Sequence, residues 1–164
     1  MRRLGAVLGT ALFLAIAPGT VAGVIPWWIS RWRIETPFAG WLPLRVIGGL
    51  LIAAGAAVLL DSFARFALQG LGTPAPVFPT RTLVVTGLYR YVRNPMYVAV
   101  LSLVVGQGLF FGSLALLGYA AALWFAFHLF VLAYEEPKLR ATYGAEYDRF
   151  CARVPRWIPR FSGS

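Results

Sequence analysis

The chain carries a single cysteine, Cys151, and a single histidine, His128. One cysteine excludes a disulfide framework and a cysteine-based metal site within one chain. Cys151 reads as a small packing residue or as a reactive thiol in a cationic tail. Acidic residues are scarce: six Asp and Glu stand against fifteen Lys and Arg, for a net charge of +9. There is no P-loop, no GxGxxG, no His-Glu-x-x-His, no internal repeat and no low-complexity tract. The basic residues flank apolar runs and form no separate aromatic-interleaved patch. Anionic lipid headgroups, not nucleic acid, are therefore the expected partner.

Apolar residues are abundant, at 59% of 164. A soluble domain averages about 45–50%, and one this short has too little interior to hide the excess. A bilayer removes the difficulty. The length allows one domain, residues 1–164, with the chemical motifs within 70–160.

Four apolar stretches stand out: Leu4–Ile29, Leu44–Leu68, Tyr97–Phe111 and Leu114–Tyr134. A span takes about 20 apolar residues. The third is short unless it tilts or starts upstream. Gly112-Ser113 reads as the turn of a tight hairpin. The first stretch also has the outline of a signal peptide, with Arg2-Arg3, an apolar run and Thr20-Val21-Ala22, but Val24, Ile25, Trp27 and Trp28 carry it further. Pro18 and Gly19 predict a kink. The fold class is therefore all-α and integral to the membrane, with about four transmembrane helices.

With both termini inside, twelve Lys and Arg lie on the cytoplasmic side and Arg31, Arg33 and Arg45 outside, as the positive-inside rule expects. Trp27, Trp28, Trp32 and Trp41 read as anchors of the outer interface. Gln69–Asn94, rich in Gly, Pro and Thr, is a cytoplasmic loop. After Glu135-Glu136-Pro137, the stripe Leu139, Tyr143, Tyr147, Phe150 and Val154 predicts an amphipathic helix on the membrane face.

Three groups have chemical potential. Glu135 and Glu136 could bind a cation or act as a base, or simply mark a helix end. In Tyr89-Arg90-Tyr91-Val92-Arg93-Asn94-Pro95-Met96-Tyr97, Pro95 fits a first helical turn with Asn94 as N-cap. That helix start and Arg93 could hold an anion, or the cluster could be interfacial anchors and a cap. His128, seven residues before Glu135, is a proton carrier or a hydrogen-bonded core residue. Asp61 and Arg65 are expected to pair with each other. The hairpin brings Arg93 and the paired carboxylates to one side, a site suited to a zwitterion.

Gly87–Tyr97, the apolar hairpin, Tyr134-Glu135-Glu136-Pro137, Tyr143-Gly144-x-x-Tyr147 and Val154-Pro155-Arg156-Trp157-Ile158-Pro159 together resemble the isoprenylcysteine carboxyl methyltransferase and phospholipid methyltransferase superfamily. The resemblance covers about residues 44–160. It implies a small membrane methyltransferase using S-adenosylmethionine at the cytosolic face, with a membrane-bound, lipid-like acceptor. By resemblance, Tyr89, Arg93, Asn94, Pro95, Tyr97, Glu135 and Glu136 fall on cofactor motifs. Gly55 lies where one branch has Gly-x-Gly, here Ala53-Ala54-Gly55, and Tyr147 offers a further aromatic face to a sulfonium. Where one branch has His, this chain has Asn94. An acceptor needing a base would turn to Glu135, Glu136 or His128, with Arg93 as the fixed cation. The competing readings are an NADPH-dependent sterol-type reductase and a non-catalytic membrane assembly protein. Loss of Arg93, Glu135 or Glu136 is expected to weaken cofactor binding without unfolding the protein.

Overall fold

The computed structural model describes residues 12–69, 83 and 85–160. The expectations for Arg2, Arg3, Arg81 and most of the Gly/Pro loop lie outside the described residues. All regular structure within them is helical. Helix α1 is Leu12–Ser30, α2 Leu42–Gln69, α3 Pro95–Phe111, α4 Leu114–Tyr143 and α5 Ala145–Arg153. A single 3-10 turn, Gly87–Arg90, precedes α3. Helices α1, α2 and α4 are long and apolar enough to cross a membrane, and α3, with 17 residues, is shorter. Only 6%, 28% and 17% of their most apolar windows are buried within the protein. Leu50, Leu60, Phe125 and Leu129 face outward. An outer surface of this kind is stable only against lipid, so this is a membrane protein.

Helices α2 and α3 run antiparallel along a seam of small residues. A Cβ on Gly48 would lie 2.6 Å from the Gly106 carbonyl oxygen, and one on Gly55 would lie 2.9 Å from that of Ala99. Such seams let helix backbones approach where no hydrophobic effect drives them together. Gly55, matched by resemblance to a cofactor motif, thus sits at a helix crossing. The hairpin turn between α3 and α4 forms as expected. Gly112 adopts the left-handed conformation (φ 73°) that ends α3, and Ser113 caps α4 by accepting from the Leu116 N–H.

The carbonyls at the end of α3 are taken by the segment after α1. Trp41 Nε1 donates to Leu109 O at 2.8 Å, Arg45 Nε to Phe110 O at 2.8 Å and the Glu35 N–H to Phe111 O at 2.7 Å. Trp41 is accordingly only 3% exposed. It ties α2 to the end of α3 and does not anchor the chain in the interface, whereas Trp27, Trp28 and Trp32 are exposed.

Two prolines reshape two helices. Pro26 and Pro137 each follow a π-turn by two residues, at Thr20–Val24 and Val131–Glu135. Proline has no N–H for the carbonyl four residues back, and its ring collides with it. Widening the preceding turn relieves the collision and frees carbonyls. In α1 the freed Ala22 carbonyl accepts from Gln107 Nε2 at 2.7 Å and that of Val21 from Tyr119 Oη at 3.0 Å. The distortion of α1 therefore falls at Thr20–Val24, not at Pro18-Gly19. In α4 the turn carries the helix through Glu135-Glu136-Pro137 to Tyr143, beyond the expected end at Tyr134. The predicted amphipathic helix is likewise divided, because Gly144 (φ 54°) ends α4 and α5 starts anew. The apolar stripe survives the break: Tyr147, Phe150 and Val154 pack with Leu139 and Tyr143.

Candidate active site

The start of α3, the continuation of α4 and the tail after α5 converge. Asn94 occupies the N-cap and Pro95 the first turn, as predicted. The Asn94 side chain, however, makes no capping bond; its Nδ2 donates to the Arg156 carbonyl at 3.2 Å. The tail runs beside residues 91–94 and is tied there by the Arg93 N–H to Pro155 O (2.9 Å) and the Arg160 N–H to Tyr91 O (3.1 Å). A distant segment thus claims the groups that would otherwise serve the helix end.

The adjacent carboxylates part company. Glu136 is buried and accepts from Arg156 Nε at 2.7 Å, Arg156 Nη2 at 3.1 Å and Arg93 Nη1 at 3.0 Å. A two-pronged pair plus a second guanidinium uses most of its acceptor capacity. The hydrogen bond to Glu136 also raises the Arg156 pKa. Glu135, half-buried on the neighbouring face, accepts from Tyr97 Oη at 3.0 Å. A carboxylate accepts about four hydrogen bonds, so Glu135 retains capacity. The Tyr97 ring packs on Phe127, centroids 4.7 Å apart. Burial first, and then the charge of Glu135, push the Tyr89 phenol well above its usual range, so it stays protonated. Burial does the same first for Tyr147, followed by Cys151 and Glu136.

Arg93 does not stand free for a ligand as expected. Its Nη1 also donates to Cys151 Sγ at 2.9 Å, and the residue joins α3, α4 and α5. Its Nε is buried without a hydrogen-bond partner.

His128 and Glu135 are not brought onto one face. The π-turn between them turns Glu135 by roughly a quarter turn from its α-helical position. The His128 ring stacks on Trp124 (5.2 Å), and Nδ1 accepts from Trp157 Nε1 at 3.1 Å. Asp61 and Arg65 pair as expected, at 2.7 and 2.9 Å.

Arg156 and Trp157 were given no role by sequence reasoning. Their signal was the Val154-Pro155-Arg156-Trp157-Ile158-Pro159 segment, in which proline near both ends disfavours helix; residues 156–158 form bends there. Among the described residues, no group of three or more His, Cys, Asp and Glu is placed to hold a metal.

No curated protein matches the chain. A family model described as phospholipid methyltransferase matches residues 44–146. That range is more than half of the chain and runs from α2 into the start of α5, with Tyr97, Glu135 and Glu136 inside it. With the small-residue helical core, the hairpin and the Tyr97–Glu135 centre all within it, the chain belongs to the phospholipid methyltransferase family.

Proposed function

We propose that the protein transfers a methyl group from S-adenosylmethionine to an amphiphilic, lipid-like acceptor at the cytoplasmic face of the membrane. The observation that carries this reading is the division of labour between the two carboxylates. Glu136 is consumed in holding the tail, while Glu135 keeps acceptor capacity beside the Tyr97 ring.

The donor and acceptor set fits the cofactor's zwitterionic end. Glu135 would accept from its ammonium or hydroxyls, Arg93 would lend its charge to the side that takes the carboxylate, and Tyr89 and Tyr97 offer oxygen and ring faces suited to a sulfonium. The bound cofactor supplies an electrophilic methyl group. The protein's own part is positioning and exclusion of water. Arg93, Glu136 and Arg156 fix the tail over the start of α3. Glu135 and Tyr97 form a hydrogen-bonded pair that can receive a proton from an amine or phenol acceptor; a carboxylate acceptor needs none.

The reading carries four spans with both termini cytoplasmic and this centre at headgroup depth on the inner leaflet; the distribution of Lys and Arg supports it. Helix α3, about 25 Å long at 1.5 Å per residue, gains no reach from the expected tilt, which shortens its projection, and crosses with local thinning of the bilayer. The test is equilibrium binding of radiolabelled S-adenosylmethionine, and separately NADPH, to the detergent-purified protein. Next, membranes incubated with labelled cofactor are searched for a methylated lipid. Binding of NADPH without binding of S-adenosylmethionine would overturn the proposal in favour of a reductase.

A further inference from the structure

A cleft of ≈ 260 Å³ opens on the outer surface of the bundle, lined by Leu51 of α2, Val98, Leu101, Ser102 and Val105 of α3, Trp124 of α4 and Trp157 of the tail. Its lining is apolar apart from Ser102, whose hydroxyl donates to the Val98 carbonyl at 2.8 Å. The cleft therefore offers a ligand shape and apolar contact but few polar partners, which suits a hydrocarbon chain and not a headgroup. It opens where the apolar flank of α2, with Leu50 and Ile47, is exposed.

One wall differs from the rest. Trp157 belongs to the tail, and its ring lies 6.5 Å from those of both Trp124 and Tyr97. Tyr97 in turn donates to Glu135. Trp157 is thus shared between the cleft and the Tyr97–Glu135 centre. Its indole is held in place by one directed bond, to His128 Nδ1 at 3.1 Å. An acceptor nitrogen carries no proton, so His128 holds its proton on Nε2.

We infer that Trp157 is a specificity-determining residue, the partition between a cleft for the acceptor's apolar chain and the methyl-transfer centre, and that His128 is its positioning residue. This rests on the methyl-transfer reading for the identity of the acceptor. The partition itself rests only on the cleft and the indole–imidazole bond. His128 in this role serves as a hydrogen-bond acceptor and moves no proton.

The experiment compares full-length wild type with His128→Asn, His128→Leu and Trp157→Phe. Each is reconstituted in phosphatidylglycerol vesicles containing a phosphatidylethanolamine with a diazirine on its acyl chain. Asparagine keeps an acceptor near the Nδ1 position; leucine keeps bulk alone. Trypsin cleavage after Arg156 reads tail docking without turnover, and photolabelling reads chain occupancy. His128→Leu and Trp157→Phe are expected to be cleaved about tenfold faster, the equivalent of one lost hydrogen bond, and His128→Asn near the wild-type rate. Labelling is expected on the 98–105 segment of the wild type. In the methylation assay, Trp157→Phe and His128→Leu should raise the acceptor KM with the Kd for S-adenosylmethionine unchanged, and His128→Asn should restore KM. Equal cleavage of His128→Leu and wild type, labelling spread evenly over the helices, or loss of kcat in His128→Asn would each overturn the inference. Failure of the wild type to bind S-adenosylmethionine would instead strike the proposed function, and leaves the proteolysis and labelling results to decide the partition.

Discussion

Two neighbouring glutamates make the sharpest contrast at the level of single residues. Glu136 neutralises two guanidinium groups whose side chains are 12% and 27% exposed, and its own is 8% exposed. Removing one partner of a buried ion network leaves the others uncompensated, at about 3–5 kcal/mol. Glu136→Gln is therefore expected to lower the thermal midpoint and release the tail, seen as tryptic cleavage after Arg156. Glu135→Gln should leave the midpoint close to wild type and weaken S-adenosylmethionine binding on the order of ten- to a hundred-fold, as expected for loss of a charge-assisted contact. Equal loss of stability in both variants would refute the division. Sequence reading marked both residues, and Arg93, as one group whose loss spares the fold. It could not separate them, because the partner that distinguishes Glu136 is Arg156, twenty positions away on a tail without regular structure.

Helix α1 shows the same dependence at the level of whole elements. Pro26 deprives the Ala22 carbonyl of its helical donor, and Gln107 replaces it from the last third of α3. The Oε1 of the same Gln107 amide accepts from Trp32 Nε1 at 3.1 Å, while the Ala22 carbonyl takes the Nε2 bond. Leaving that carbonyl unpaired in an apolar setting costs about 1–3 kcal/mol, so Gln107→Leu is expected to destabilise the bundle by that amount. In Pro26→Ala the restored N–H can serve the carbonyl, and the same Gln107→Leu change should then cost less. A double-mutant cycle in detergent measures the difference, and additive effects would show that Gln107 acts elsewhere. The apolar runs and the hairpin turn were legible because length, composition and a Gly-Ser break suffice for them. The π-turns were not, since a proline two residues past a turn reads equally well as a kink or a helix end. The carbonyls it frees are matched by residues 85 and 98 positions away.

Across the whole molecule, the arrangement of charge about the apolar helices carries a prediction of topology. Reporter fusions after residue 38 and residue 164 are expected to report opposite sides of the membrane, with the C-terminal one cytoplasmic. The same side for both would change the number of spans. The tail is the other whole-molecule feature. Because α4 continues to Tyr143 and α5 packs against it, deleting only 154–164 removes Arg156 and Trp157 while leaving every described helix in place. That truncation is expected to insert normally and to lose S-adenosylmethionine binding; retained binding would place the cofactor away from the tail.

Some properties of this protein follow from sequence alone because they depend on composition and local pattern. The membrane environment, the all-helical class, the tight hairpin, the start of α3 at Asn94-Pro95 and the Asp61–Arg65 pair need nothing beyond apolar run length, turn chemistry and a four-residue spacing. The methyltransferase motifs were readable for the same reason, as short contiguous strings. Which of their side chains remain free for chemistry was decided only by the tertiary structure. Glu136 is bound to the tail, the Arg93 guanidinium is held by Glu136 and Cys151, Asn94 gives its side chain to a distant carbonyl, Trp41 is buried at a helix end, and His128 meets an indole. Each outcome turns on a buried polar group finding its partner far along the chain, a pairing that local pattern does not encode.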